Sequence, residues 1–280
     1  ALQTNDTVIE SDVTSDYGSG GMGSSASDGF NIVSGTSNSS NVNNSSDTFV
    51  AWCWKESATA GFDMVGYTGT GSATTVSHSL SALPHRIIIK KRSAGGTDWL
   101  VFGDKVHTTP HDKLIKLNQN GALGSSLDSS WFNDTNPTSS VFSVGTQGDL
   151  NGSSATYIAY LFTSIQGFSK FGSYTGNNNA NGTFVFLGFR PAYLMVKKTD
   201  GTDNWTILDK GRSPFNPVDD QLYADSNVAE ADADVCDFVS NGVKFRGNGG
   251  SYNGNGNNYI YMAFAEAPLV NSEGVPCNAK

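Results

Sequence analysis

Two histidines four residues apart are the first place to look for chemistry in this chain. In His107-Thr108-Thr109-Pro110-His111 the spacing would let both imidazoles share a metal if the segment were helical. Pro110 forbids a regular helix through the pair, so a loop with two solvated histidines is expected. An acidic run follows later: Asp219, Asp220, Asp225, Glu230, Asp232, Asp234 and Asp237. Calcium needs several oxygens converging at once, and a Gly-bent loop is the usual device. The Asp232/Asp234 spacing suggests calcium, but no EF-hand pattern follows, and the alternative is a solvated acidic loop. No other cofactor is expected. Gly18-Ser19-Gly20-Gly21-Met22-Gly23 has the letters of a dinucleotide fingerprint. That motif works only between a strand and a helix, whereas here an acidic stretch precedes it and a Ser-rich one follows, so it reads as a loop.

Nucleophilic catalysis has no candidate. There is no G-x-S-x-G elbow, and nothing nominates a carboxylate pair for glycoside hydrolysis. The chain is therefore read as a non-enzyme with no catalytic residue. Cys53, Cys236 and Cys277 fall in no zinc or disulfide spacing. Aromatic rings are the remaining ligand-contacting groups. Trp99 and Trp205 sit in strand-like, repeated positions and are expected in the core. Trp131, in Ser129-Ser130-Trp131-Phe132-Asn133, is not repeated and is expected to be exposed. Trp131, Phe132, Phe215 and Tyr223 are the candidate binding residues.

Something must position those rings, and composition points to strands. The 280 residues carry 11% aromatics, only 15% charged residues and 32 glycines. Low charge with many aromatics argues against disorder, and Gly/Asn/Ser punctuation between short apolar runs marks strands joined by turns. The net charge is −9, with a pI near 4.7. A nucleic-acid binder needs a basic stripe, and the only basic runs, Lys90-Lys91-Arg92 and Lys197-Lys198, lie inside strand-like segments. Nucleic acid is thus not expected as a partner. Nor is membrane insertion by a helix, since no apolar run approaches ~18 residues.

The strands recur. Tyr67-Thr68-Gly69, Pro84 and Lys90-Lys91 return as Tyr174-Thr175-Gly176, Pro191 and Lys197-Lys198, each at an offset of 107. Gly61-Phe62, Trp99 and Asp104-Lys105 return as Gly167-Phe168, Trp205 and Asp209-Lys210 at 105 or 106. Ser140 to Phe162 aligns without gaps on Gly242 to Phe264 at 102. A third, partial copy opens the chain: Asp28 to Val33 reads like Asn241 to Phe245, and Thr48-Phe49-Val50-Ala51-Trp52 takes the place of Tyr157 to Phe162 as a strand. The expected organisation is the back half of a module at 1–55, a full module at 56–164, another at 165–270, and a tail at 271–280.

Tyr157 to Phe162 is apolar at alternate and intervening positions alike, so it is expected to be a central strand covered on both faces. Short strands at 8–12-residue spacing predict an all-β fold of tandem antiparallel sandwiches with Gly/Asn/Ser-rich loops. Helix is expected at most as one short turn within Gln221 to Asp237, around Ala229-Glu230-Ala231.

Long phrases of the chain resemble a known group. Phe168–Gly176 (FSKFGSYTG), Gly188–Lys198 (GFRPAYLMVKK), Tyr259–Pro268 (YIYMAFAEAP), Thr48–Lys55 (TFVAWCWK) and Pro137–Gly145 (PTSSVFSVG) are similar to the C-terminal repeats of bacteriophage virion proteins, many of them marine and usually labelled tail fibre or tail proteins. The resemblance implies a longer polypeptide, a homo-oligomer of trimeric form, other virion proteins as partners, and location in the virion after assembly in a bacterial cytoplasm. It implies binding of a host-surface polysaccharide or outer-membrane receptor. A capsid-associated fibre or decoration protein and a polysaccharide depolymerase are the alternatives. The segments that differ between copies, 106–135 and 211–237, are where function is expected.

Overall fold

The structure is a computed structural model describing residues 21–26, 29–33, 48–93, 97–266, 269–270 and 276–277. Strands β1 (Gly21–Ala26) and β2 (Gly29–Val33) form a hairpin. The first module contributes β3 (Phe62–Thr68), β4 (Thr74–Ser77), β5 (Arg86–Lys91), β6 (Leu100–Phe102), β7 (Ile115–Lys116), β8 (Val141–Val144) and β9 (Thr156–Phe162). The second contributes β10 (Ser169–Thr175), β11 (Phe184–Phe186), β12 (Pro191–Lys198), β13 (Thr206–Asp209), β14 (Val218–Tyr223), β15 (Ala231–Val239), β16 (Gly242–Phe245) and β17 (Asn258–Ala265). A last pair, β18 (Leu269–Val270) and β19 (Pro276–Cys277), is antiparallel. Single helical turns α1 (Ser129–Phe132), α2 (Gly148–Asn151) and α3 (Gly250–Asn253) interrupt the strands. The fold is all-β, and every strand pair is antiparallel.

The two modules share one strand order. The main sheet of the first runs β3-β9-β5-β6-β7, and the second repeats it as β10-β17-β12-β13-β14. In both, an inner strand pair then faces the main sheet: β4 with β8, and β11 with β16. The second module adds β15, so that β14 is shared between main and outer layers and bends the eight strands into a sandwich.

Side-chain alternation explains how the layers stack. In β5, Ile87 and Ile89 enter the core beneath β4 and β8, with Phe102, Phe142, Val144 and Leu161. Ile88 enters the opposite core. That second core lies between the two main sheets: Ile88, Val101, Ile115 and Phe162 from the first module meet Met195, Trp205, Ile207 and Met262 from the second. A third core fills the second sandwich, with Leu194, Val196 and Tyr259 against Val243 and Phe245. Among the described residues four sheet layers thus enclose three cores, and the two sandwiches pack back to back. The apolar character of Tyr157 to Phe162 on both faces follows, because β9 lies between β3 and β5 with a core above and below.

Polar groups lock this seam. Trp205 Nε1 donates to the Lys116 carbonyl at 2.8 Å, and Lys197 Nζ to the Asn120 carbonyl at 3.1 Å. Leu123 N donates to the Thr199 carbonyl at 2.9 Å. Trp54 packs edge-on against Tyr193 and Phe162 at the seam's margin.

Four expectations are corrected. Residues 48–52 are not a strand. In the full modules that strand is paired on both sides, whereas no described strand pairs with residues 48–52, and Trp52 instead reaches Asp209. Gly21-Met22-Gly23 belongs to β1 rather than a loop, while residues 18–20 lie outside the described residues. Segment 221–237 has no helix: Ala231–Val239 alternates small or polar with apolar side chains late in its run and pairs with β14 and β16. Finally, the gapless alignment slips by one inside β8 and β16. Phe142 and Val243 hold the same inward place, since Val76 pairs with one and Val185 with the other. A one-residue shift reverses the faces of a strand, so burial fixes this register where identity does not.

Candidate functional site: the lateral edges of the sandwiches

The site begins with a turn. After β3, Gly69 lies so close to the Gly152 carbonyl that a Cβ there would stand 2.3 Å from it, and Gly176 has the same relation to Gly254. Neither position tolerates a side chain. Asn151, fully buried, donates through Nδ2 to the carbonyls of Ser72 (2.8 Å) and Gly145 (2.6 Å) and accepts from Thr70 N at 2.8 Å. Tyr157 lies stacked on Tyr67 at 5.0 Å, and its hydroxyl donates to the Gly148 carbonyl. Asn253, Tyr174 and Tyr259 repeat the arrangement in the second module. Burial pushes the Tyr67 and Tyr174 phenols well above their ordinary range. These latches fix the path from β3 to β4 and from β10 to β11.

Those strands are the edges of their sheets, and they run past each other without pairing. In the first module an open groove of ≈ 320 Å³ separates them, lined by the stretches Val65–Thr68 and Thr74–Ser77 and by Thr70. No charged side chain lines it. At its end Asp63 accepts from Ser79 N and Met64 N; burial raises the carboxyl, but these hydrogen bonds outweigh it and hold it below the ordinary range.

In the second module the same gap is stapled. Thr183 Oγ1 donates to the Thr175 carbonyl at 2.8 Å, and Lys170 Nζ to the Phe186 carbonyl at 2.7 Å. The lysine also stands 5.0 Å over the Phe186 ring, a cation–π contact. Phe184 and Phe186 point outward and are 45% and 58% exposed. Because Val76 and Val185 are equivalent, these rings occupy the places that Thr75 and Ser77 hold in the first module. One copy therefore folds with hydroxyls at both positions and the other displays aromatic rings. Phe184 leans over Gly242, whose added Cβ would meet its Cε2 at 3.1 Å.

The residues nominated from sequence are not gathered into one place. Trp131 is half-buried against the first module's inner core. Phe132 is 1% exposed and stacks on Phe102 at 4.1 Å, so it offers no face to a ligand. Asp128 caps α1 by accepting from Ser130 N at 3.0 Å, and the resulting turn carries Phe132 inward. Phe215 is 81% exposed between β13 and β14. Tyr223 is half-buried at the end of β14, its phenol raised by burial. Among the described residues no hydrogen bond or ring contact joins any two of the four. Phe184 and Phe186 were not nominated; the Phe-Val-Phe-Leu alternation of 184–187 was the available signal, with apolar residues on both faces.

Among the described residues no cluster of three or more His, Cys, Asp or Glu side chains could hold a metal ion. His107 Nδ1 lies by the Thr109 backbone and His111 by Asn136. Most of the acidic run has local partners: Arg212 binds Asp209 and Glu230, Ser213 binds Asp219 and Asp220, and Arg246 binds Asp237. Asp225 accepts from Trp205 N at 2.9 Å, as Asn118 does from Trp99 N, and burial raises its carboxyl. Cys53 is exposed and Cys236 buried, both as free thiols.

A family model described as Domain of unknown function (DUF7483) matches residues 1–268. No curated protein matches the chain, and no solved structure does.

Proposed function

The chain belongs to the DUF7483 family, and we propose that it is a structural segment of a bacteriophage tail fibre or spike that attaches the virion to the host cell surface. The observation that carries this reading is the divergence at one scaffold position. Thr75 and Ser77 in one module become exposed Phe184 and Phe186 in the other, on edges that the latches hold rigid. A pair of exposed rings that the fold does without in its other copy is suited to contact with something outside the chain. The resemblance of the repeated phrases to phage virion proteins supports the same reading. So do the Gly/Asn/Ser-rich connections, which suit a surface that varies its loops on a constant frame. Attachment would gain strength from several copies, each with weak sites, in a homotrimer.

The test is adsorption. Labelled chain is titrated onto a panel of bacterial cells, with Phe184→Thr and Phe186→Ser as variants. Saturable adsorption to some strains, weakened in the variants, supports the reading; no adsorption to any strain by the wild-type chain sinks it. Analytical ultracentrifugation checks the trimer.

A further inference from the structure

We infer that the open groove between β3 and β4 is a binding site for a neutral glycan. This deepens the adhesive reading above and rests on it. The groove is a volume of ≈ 320 Å³, at the lower end of the roughly 300–1,000 Å³ that small-molecule sites occupy. Its lining presents hydroxyls from Thr68, Thr74, Thr75 and Ser77, beside two strand edges that do not pair with each other. Hydroxyls donate and accept alike, as do those of a sugar, and edge strands add fixed N–H donors and carbonyl acceptors. Half-buried Val65 supplies apolar surface for the C–H face of a pyranose.

Charge decides between neutral and acidic sugars. No lining residue could pair with a carboxylate or sulfate, and the chain's net charge of −9 repels polyanions. Rigidity favours binding, because the Asn151 latch sets the turn at the groove's end before any ligand arrives. Volume disfavours the other occupant of an open edge, an added polypeptide strand. Paired along the seven residues of β3, such a strand would extend about 23 Å, far more than this groove holds. The second module's gap is stapled by Lys170 and Thr183, which leaves the first module as the glycan-binding copy.

The experiment titrates the full chain with a neutral glucan, a neutral galactan and alginate, following intrinsic tryptophan fluorescence and calorimetry. Thr75→Arg fills and charges the groove from an exposed position; Thr74→Val removes one hydroxyl and serves if the arginine variant misfolds. Val228→Thr, at an exposed position of the other module, is the control. Expected are saturable binding of a neutral glycan, none of alginate, at least about tenfold weaker binding in Thr75→Arg, worth about 1.4 kcal/mol, and unchanged binding in Val228→Thr. Preference for alginate, no binding of either neutral glycan, or binding untouched by both groove variants overturns the inference. So does a change of oligomeric state in Thr75→Arg, which would mark the edge as a docking strand. Cell adsorption that persists in both groove variants overturns the groove alone, whereas loss of adsorption in the wild-type chain concerns the adhesive reading.

Discussion

The Asn151 side chain has no exposed surface, and three of its hydrogen bonds tie Thr70, Ser72 and Gly145 together at the first module's edge. Replacing it with alanine strands two carbonyls and an amide. At about 1 kcal/mol net per bond, Asn151→Ala should cost about 3 kcal/mol, read from the urea midpoint. Arg86 presents the opposite case. It is buried in the seam over the Phe171 ring, its Nη2 is 3.4 Å from the Tyr261 carbonyl, and its Nε and Nη1 have no hydrogen-bond partner among the described residues. Burial pushes its pKa down to about 10. A buried charge without an anion is expensive, so Arg86→Met should raise stability by about 1 kcal/mol or more. A lower unfolding midpoint would show that the guanidinium is better satisfied than its contacts indicate.

At the scale of elements, the repeated strands were legible because the residues that recur are the ones the sheets need: Trp99 and Trp205, Lys90 and Lys197, Tyr67 and Tyr174. What hid was everything decided by partners distant in sequence. Thr48 to Trp52 has the right residues for a strand, but among the described residues no strand pairs with it. The helix-forming letters Ala229-Glu230-Ala231 lead straight into the strand Ala231–Val239, whose pairing with β14 and β16 overrides them. The candidate site was legible only in part. Phe215, in the segment that differs between copies, is exposed but does not line the groove. The groove required knowing that β3 and β4 pass each other unpaired, which no local pattern states. Because Phe184 and Phe186 are exposed on a three-residue edge strand, Phe184→Thr and Phe186→Ser should leave stability within about 0.5 kcal/mol while reducing adsorption. A large loss of stability would return those rings to a packing role.

For the whole molecule, the core between the main sheets makes the modules interdependent. Differential scanning calorimetry should therefore show one transition spanning both, and Trp205→Ala should lower it without splitting it. Alkali attacks the same structure through tyrosines. Burial raises the Tyr67, Tyr174 and Tyr193 phenols well above 10, and the Tyr261 phenol to about 12. Groups whose pKa is raised by folding lend stability that is complete below the unfolded value near 10 and is lost as pH climbs through the folded values. Melting temperature should thus fall steeply above pH ~10, with phenolate absorbance appearing only as the chain unfolds. Phenolate absorbance that titrates near pH 10 in the folded chain would contradict this. Lys197 acts in the other direction over a lower range: burial depresses it to about 8, so its cost is relieved between about 8 and its unfolded value.

The back-to-back seam also bears on how such an array can lengthen. Each main sheet has one face turned to its own sandwich and spends the other on its neighbour. A pair of modules is consequently closed, as a clasped pair of hands is, and a further copy spliced into the chain would find no equivalent face to clasp. Growth by single units would leave a large apolar sheet bare to water, whereas growth by twos would not. Parity, in addition to length, would then constrain how many full modules can pack in this way.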